Sequence, residues 1–143
     1  MKRLLALSLL LVAMQPALAI NNKKPNACPT VNALTSVGVN FAKQREPGIW
    51  DAYQLKHTYS TDSEWTFEMT AFISDSANAA LAKANAAISK LDYYMGDQPT
   101  HYNDEWFCMY ITKSEGEIDI LGSATTPPQN PDATQNMISR YML

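Results

Sequence analysis

From Trp50 onward the apolar residues fall on every second position, the period of a half-buried strand. Tyr53, Leu55, His57 and Tyr59 share one face of this first run, and Ala52, Gln54 and Lys56 take the other. After the polar turn Ser60–Ser63, Trp65, Phe67, Met69, Ala71 and Ile73 alternate with Glu64, Thr66, Glu68 and Thr70. That pattern describes a strand with one buried and one wet face, and the two runs together predict an antiparallel hairpin. The period then lengthens. Ser74, Asp75 and Ser76 are competent N-caps for an alanine-rich helix running to about Tyr94, with Ala77, Ala80, Leu81, Ala84, Ile88 and Leu91 as its apolar stripe. Beyond a loop holding Pro99 and His101, Trp106–Lys113 reads as a strand with Phe107, Met109 and Ile111 on one side. Trp106, Cys108 and Tyr110 occupy its other side, and a turn at Ser114–Gly116 leads into a final strand through Ile118, Ile120 and Leu121.

Upstream, Pro29 suits a first helical position, Val31, Leu34 and Val37 recur at near-helical spacing, and Gly38 is placed to cap the turn. Val39, Phe41 and Ala42 make a brief edge strand before the turn-forming Arg45–Gly48. The whole predicts an α+β fold. An antiparallel sheet of four to five strands carries one long helix on a face, beside a short N-terminal helix and a single disulfide.

The ends of the chain set compartment and domain limits. Lys2 and Arg3 precede an apolar run from Leu4 to Met14, Pro16 breaks it, and Ala17-Leu18-Ala19 presents small residues for cleavage. Residues 1–19 therefore read as a signal peptide, 20–27 as a flexible leader and 28–124 as one domain. Residues 125–143 read as a proline-rich linker and C-terminal tail. The leading apolar run falls short of the ~20 residues a bilayer requires, so no membrane span is expected and the protein should be secreted or periplasmic. The eleven basic residues include Lys2 and Arg3, which leave with the signal, so nine face fourteen acids, a charge near −5. That balance argues against nucleic acid as a partner. Two cysteines, Cys28 and Cys108, in an oxidising compartment read by default as a disulfide. Free or metal-binding thiols are the competing reading, and it lacks the close Cys/His spacing of zinc sites.

Chemistry is harder to find. No Gly-x-Ser-x-Gly, Ser-x-x-Lys or phosphate-binding glycine loop occurs, so no catalytic residue and no metal ligand is assigned, and an enzyme is not expected. Glu64 and Glu68 fall on the outward face of their strand, and Glu115, Glu117 and Asp119 flank a hairpin tip; solvated surface is the reading for all five. His57 is the more informative histidine, because it shares a predicted face with Tyr53 and Tyr59, and imidazole and tyrosine can both ligate haem iron. His101 beside Tyr102 is a second candidate of that kind. Against both stands the plainer reading of a histidine bonded to a neighbour or lying at the surface.

The stretch Cys28-Pro29-Thr30-Val31-Asn32-Ala33-Leu34 with Val37-Gly38-Val39, the strand Trp65–Phe72 and Trp106-Phe107-Cys108 resemble a family of small secreted proteins of Legionella and its relatives. The likeness spans about Cys28 to Ala124. The family is largely uncharacterised, and one branch is named hemin-binding protein. The resemblance implies a secreted, non-catalytic role with haem as its most concrete ligand, and it identifies no residue that holds the iron. The leading expectation is a small-molecule binding protein with haem as candidate cofactor. A protein-interaction module binding a host or envelope protein through a sheet edge or the C-terminal tail is the alternative, and a small hydrolase the second alternative.

Overall fold

The computed structural model describes residues 23–128 apart from 103, 115 and 116, with backbone alone over 113–114 and 117–120. The expected signal peptide (1–19), residues 20–22 of the expected leader and the tail from residue 129 lie outside the described residues. In chain order the elements are α1 (Val31–Val37), β1 (Phe41–Glu46), β2 (Ile49–His57), β3 (Trp65–Ile73), α2 (Ala77–Ile88), β4 (Asp92–Tyr93), β5 (Thr100–Tyr102), β6 (Glu105–Ser114) and β7 (Glu117–Thr126). The strands make one antiparallel sheet of seven in the order β1-β2-β3-β7-β6-β4, with β5 also paired to β6.

This corrects the expected α+β fold of four to five strands with one long helix: the described residues are mostly β, seven strands in one sheet with two helices, of which α1 is short. The difference lies between residues 89 and 102. The amides of Lys90 and Leu91 bond the carbonyls of Ala87 and Ile88, so the last turn tightens and the helix stops at Ile88 rather than near Tyr94. Leu91 is still buried, which is why it looked like the end of the helical stripe. Asp92 and Tyr93 then pair with Ile111 and Tyr110, and Thr100–Tyr102 pair with Glu105–Phe107. At the other end, β7 includes Thr125 and Thr126, which the sequence pattern assigned to the linker.

One face of the sheet carries both helices. Trp65, Phe67, Met69, Phe72 and Tyr110 meet Leu34 of α1 and Ala80, Ala84, Ala87 and Ile88 of α2 in the main core. Alanines on α2 let its backbone lie close to the large side chains of the sheet. The helix is tied near its C-terminal end by Asn85, whose Oδ1 accepts from Val39 N and whose Nδ2 donates to Val39 O, both at 2.9 Å. Gly38 beside it has φ +74°, and a Cβ there would run into the Asn85 amide oxygen. Cys28 and Cys108 form a disulfide that joins the segment before α1 to β6. Around it Cys28 N donates to Asp97 O at 3.1 Å, and the Tyr110 hydroxyl donates to Pro29 O at 2.7 Å. No helix among the described residues is long and apolar enough to cross a membrane.

The opposite face is closed as well. Phe107, Met109, Ile111 and Leu121 form a second buried cluster there, with Tyr102 packed against it. On the same side β3 buries Thr66, Glu68 and Thr70, so this strand is dry on both faces from Trp65 to Thr70 and exposed at Ala71 and Ile73.

Candidate functional site

Residues directly opposite one another in an antiparallel pair point to the same face, their Cβ atoms about 5 Å apart. Register therefore fixes what surrounds each candidate. Tyr53 lies opposite Glu68, and Glu68 opposite Ser123, which in turn faces Met109. This row crosses β2, β3, β7 and β6 on the face without helices. A parallel row runs from Thr66 through Thr125 to Phe107. Glu68, Tyr53, Thr66 and Thr125 have no exposed surface, and Ser123 has almost none.

Glu68 was expected on a wet face, and its full burial overturns that expectation; Glu64, by contrast, is exposed and paired with Lys56 at 3.1 Å. Alternation along β3 is real, but period two cannot tell a solvated face from a second interior. The only hint in the chain is that β7 also puts small hydroxyls, Ser123 and Thr125, on the same side.

The row is short of hydrogen bonds. Neither oxygen of Glu68, nor the hydroxyls of Tyr53, Ser123 and Thr125, has a protein partner of good geometry, whereas Thr66 Oγ1 donates to Leu55 O at 2.6 Å. Tyr53 and Glu68 are nonetheless close enough to couple: the phenol helps hold the carboxylate, and the carboxylate makes the phenol harder to ionise. Burial dominates for Glu68. It pushes the carboxyl up to about 8, with Asp51 adding to the rise and Tyr53 and Arg45 opposing it. At neutral pH the group is therefore a protonated acid, able to donate one hydrogen bond as well as accept. Burial likewise raises the Tyr53 hydroxyl well above the ordinary phenol range, so it too is a donor.

Asp51, the other buried acid nearby, is fully engaged. Its carboxylate accepts from Arg45 Nε at 2.9 Å and Nη2 at 2.8 Å, and from Ala71 N at 3.0 Å. Ala71 sits at φ +65° in the register shift between β2 and β3, so Asp51 and Arg45 together clamp a bulge. Their role is structural.

The haem candidates are separated by a second shift on β2, between Gln54 and His57. Tyr53 stays opposite Glu68, but His57 moves opposite Trp65, onto the face that carries the helices. His57 and Tyr59 do come together, ring centroids 4.7 Å apart, with His57 Nδ1 accepting from Tyr59 N at 3.0 Å. That leaves Nε2 as the free nitrogen of a half-buried ring. Tyr59 is buried in the core, and burial holds its phenol proton firmly, which disfavours the phenolate that iron would require. His101 is exposed and lies against Trp106 at 4.7 Å, while Tyr102 turns to the opposite cluster. Among the described residues no group of three or more His, Cys, Asp or Glu side chains could hold a metal ion.

Comparison with known proteins adds a family. The chain belongs to the family described as Domain of unknown function (DUF4949), which matches residues 27–129. No curated protein and no solved structure matches it.

Proposed function

We propose that this member of a family of unknown function is an exported, non-catalytic binding protein that takes a small molecule on the helix-free face of its sheet. One observation carries the reading. Tyr53, Glu68, Ser123 and Thr125 bury side-chain polar atoms side by side without a protein partner of good geometry, Tyr53 and Glu68 coupling only to each other. A face that served packing alone would be cheaper with apolar residues, because each unpaired buried polar group costs roughly 1–3 kcal/mol. The signal-like N-terminus and the disulfide agree with a working place outside the cytoplasm.

Haem is the ligand the family resemblance suggests, and His57 Nε2 is the atom left to meet its iron. Titrating mature protein with hemin should give a saturable Soret shift that His57→Ala abolishes. A featureless, non-saturable response would remove haem. The broader reading is tested by thermal shift against a panel of small amphipathic molecules, hemin included. At least one should raise the melting temperature of the wild type and do so less in Ser123→Ala. A panel without a single saturable response would overturn the binding role.

A protein partner is the second reading, favoured by the adjacent Tyr94 and Met95, each about half exposed beside the edge strand β4. Its test by tail deletion has to begin after Pro128, since Thr125 and Thr126 belong to β7. Capture of an envelope or host partner that survives both that truncation and Tyr94→Ser would count against it.

A further inference from the structure

We propose that the chain beyond Pro128, residues 129–143, lies back across the helix-free face as its cover, with Met137, Ile138, Tyr141 and Met142 against the row of buried oxygens. The need for a cover comes from burial. Tyr53, Thr66, Glu68, Phe107 and Thr125, drawn from four strands, have at most 1% of their surface exposed. The sheet is open, with β1 and β4 at its edges, and both helices pack on its other face. The middle of an open sheet becomes that dry only beneath a second layer. On this side Lys43, Thr66, Tyr102 and Phe107 each make an interaction beyond those described above. Phe41, opposite Tyr53 on β1, is 41% exposed, so the cover ends between β2 and β1.

The tail fits in position, reach and chemistry. Thr125 belongs to the buried row, and β7 ends one residue later at Thr126, so the chain leaves the sheet beside this face. From β7 to β2 is two strand spacings, about 10 Å. Residues 129–143 would span about 22 Å as a helix and up to about 50 Å extended, enough in either form. Met137, Ile138, Tyr141 and Met142 recur at a spacing that gathers apolar side chains on one side. An apolar cover also accounts for the orphaned oxygens, because it takes water from Glu68, Ser123 and Thr125 without offering them a partner. The N-terminal segment runs elsewhere. Asn26 N donates to Asp62 in the β2–β3 turn at 3.0 Å, and Cys28 is bonded to Cys108, which packs in the core beneath the helices. The inference goes beyond the binding role: a ligand of this face has to displace the tail, so the tail is its competitor.

The test uses the mature full chain with Tyr141 replaced by the photo-cross-linker p-benzoylphenylalanine, irradiated in dilute solution and mapped by mass spectrometry. Attachment within one molecule to Thr66, Phe107, Met109 or Leu121 is the expected result. Attachment to α1 or α2, cross-linked dimers alone, or no cross-link at all would overturn the proposal. A second measurement needs no unnatural residue. Ile138→Asp should lift the cover, so that an anilinonaphthalene dye binds saturably with about fivefold more fluorescence than with the wild type, near-ultraviolet circular dichroism being retained. Ser139→Asp, off the apolar side, should leave the dye signal as in the wild type. Equal signals from the two variants would mean that the apolar side of the tail covers nothing. Whether a small molecule binds is decided separately by the thermal-shift panel, so the failure of one reading is distinguishable from the failure of the other.

Discussion

Two acids are buried on neighbouring strands, and the fold treats them differently. Asp51 receives three hydrogen bonds, two of them from a guanidinium, while Glu68 has no protein partner of good geometry. The consequence for Glu68 is a dependence of stability on pH with a definite sign. Its folded value near 8 stands above the ordinary carboxyl value of 4.5, so between these limits the native state keeps a proton that the unfolded chain has released. Stability must then fall as pH rises through that window, by an amount of the order of a few kcal/mol, and level off above it. Glu68→Gln removes the titration. Urea denaturation of both proteins at intervals from about pH 5 to pH 8 should show a falling stability for the wild type and a flatter profile for the variant. Parallel profiles would mean that Glu68 is ionised in the folded protein.

Among the elements, α2 depends on one polar side chain as much as on its alanines. Asn85 is exposed over part of its surface, yet it bridges both backbone groups of Val39 and also bonds Leu81 O at 3.0 Å. Asn85→Ala leaves the Val39 amide and carbonyl without these partners, at a cost of roughly 1–3 kcal/mol in unfolding free energy. Ala86→Ser on the exposed side should change little, within about 0.5 kcal/mol. Equal stability of the two variants would show that water replaces the amide. These elements also mark how much of the fold was readable in advance. The alternation of β3 and the cap at Ser76 have local causes, and the Ser76 oxygen does accept from the amide of Ala79; α1 begins at Val31 with Thr30 as its cap, two residues later than the start expected at Pro29. β4 and β5 are two and three residues long, too short to display a period, and their pairing with β6 is a tertiary fact. The shift between Gln54 and His57 separates Tyr53 from His57, so a candidate site assembled by counting twos along β2 came apart. No residue in the strand announces that shift. Glu68 was missed for a different reason: the sequence contains nothing that says which strand face is a second interior.

At the scale of the whole molecule, the disulfide decides how the N-terminal segment is held. Cys28 and Cys108 are 80 residues apart, so the bond closes a loop containing both helices and six of the seven strands, β6 only in part. Chain-entropy reasoning for a loop of that length gives roughly 4 kcal/mol, a large part of the ~5–15 kcal/mol that holds a typical domain. The same segment also has non-covalent ties. Cys28 N bonds Asp97 O, Tyr110 Oη bonds Pro29 O, and Leu34 fills the main core. The two contributions act on different states, the cross-link chiefly on the unfolded chain and the hydrogen bonds on the folded one. Replacing both cysteines by serine should therefore leave the folded structure in place, with its near-ultraviolet circular dichroism preserved, while lowering the unfolding free energy by about 3–5 kcal/mol. Loss of the near-ultraviolet signal under native conditions would show instead that the bond is required to dock α1. An unchanged unfolding free energy would show that the unfolded chain already keeps these two ends together.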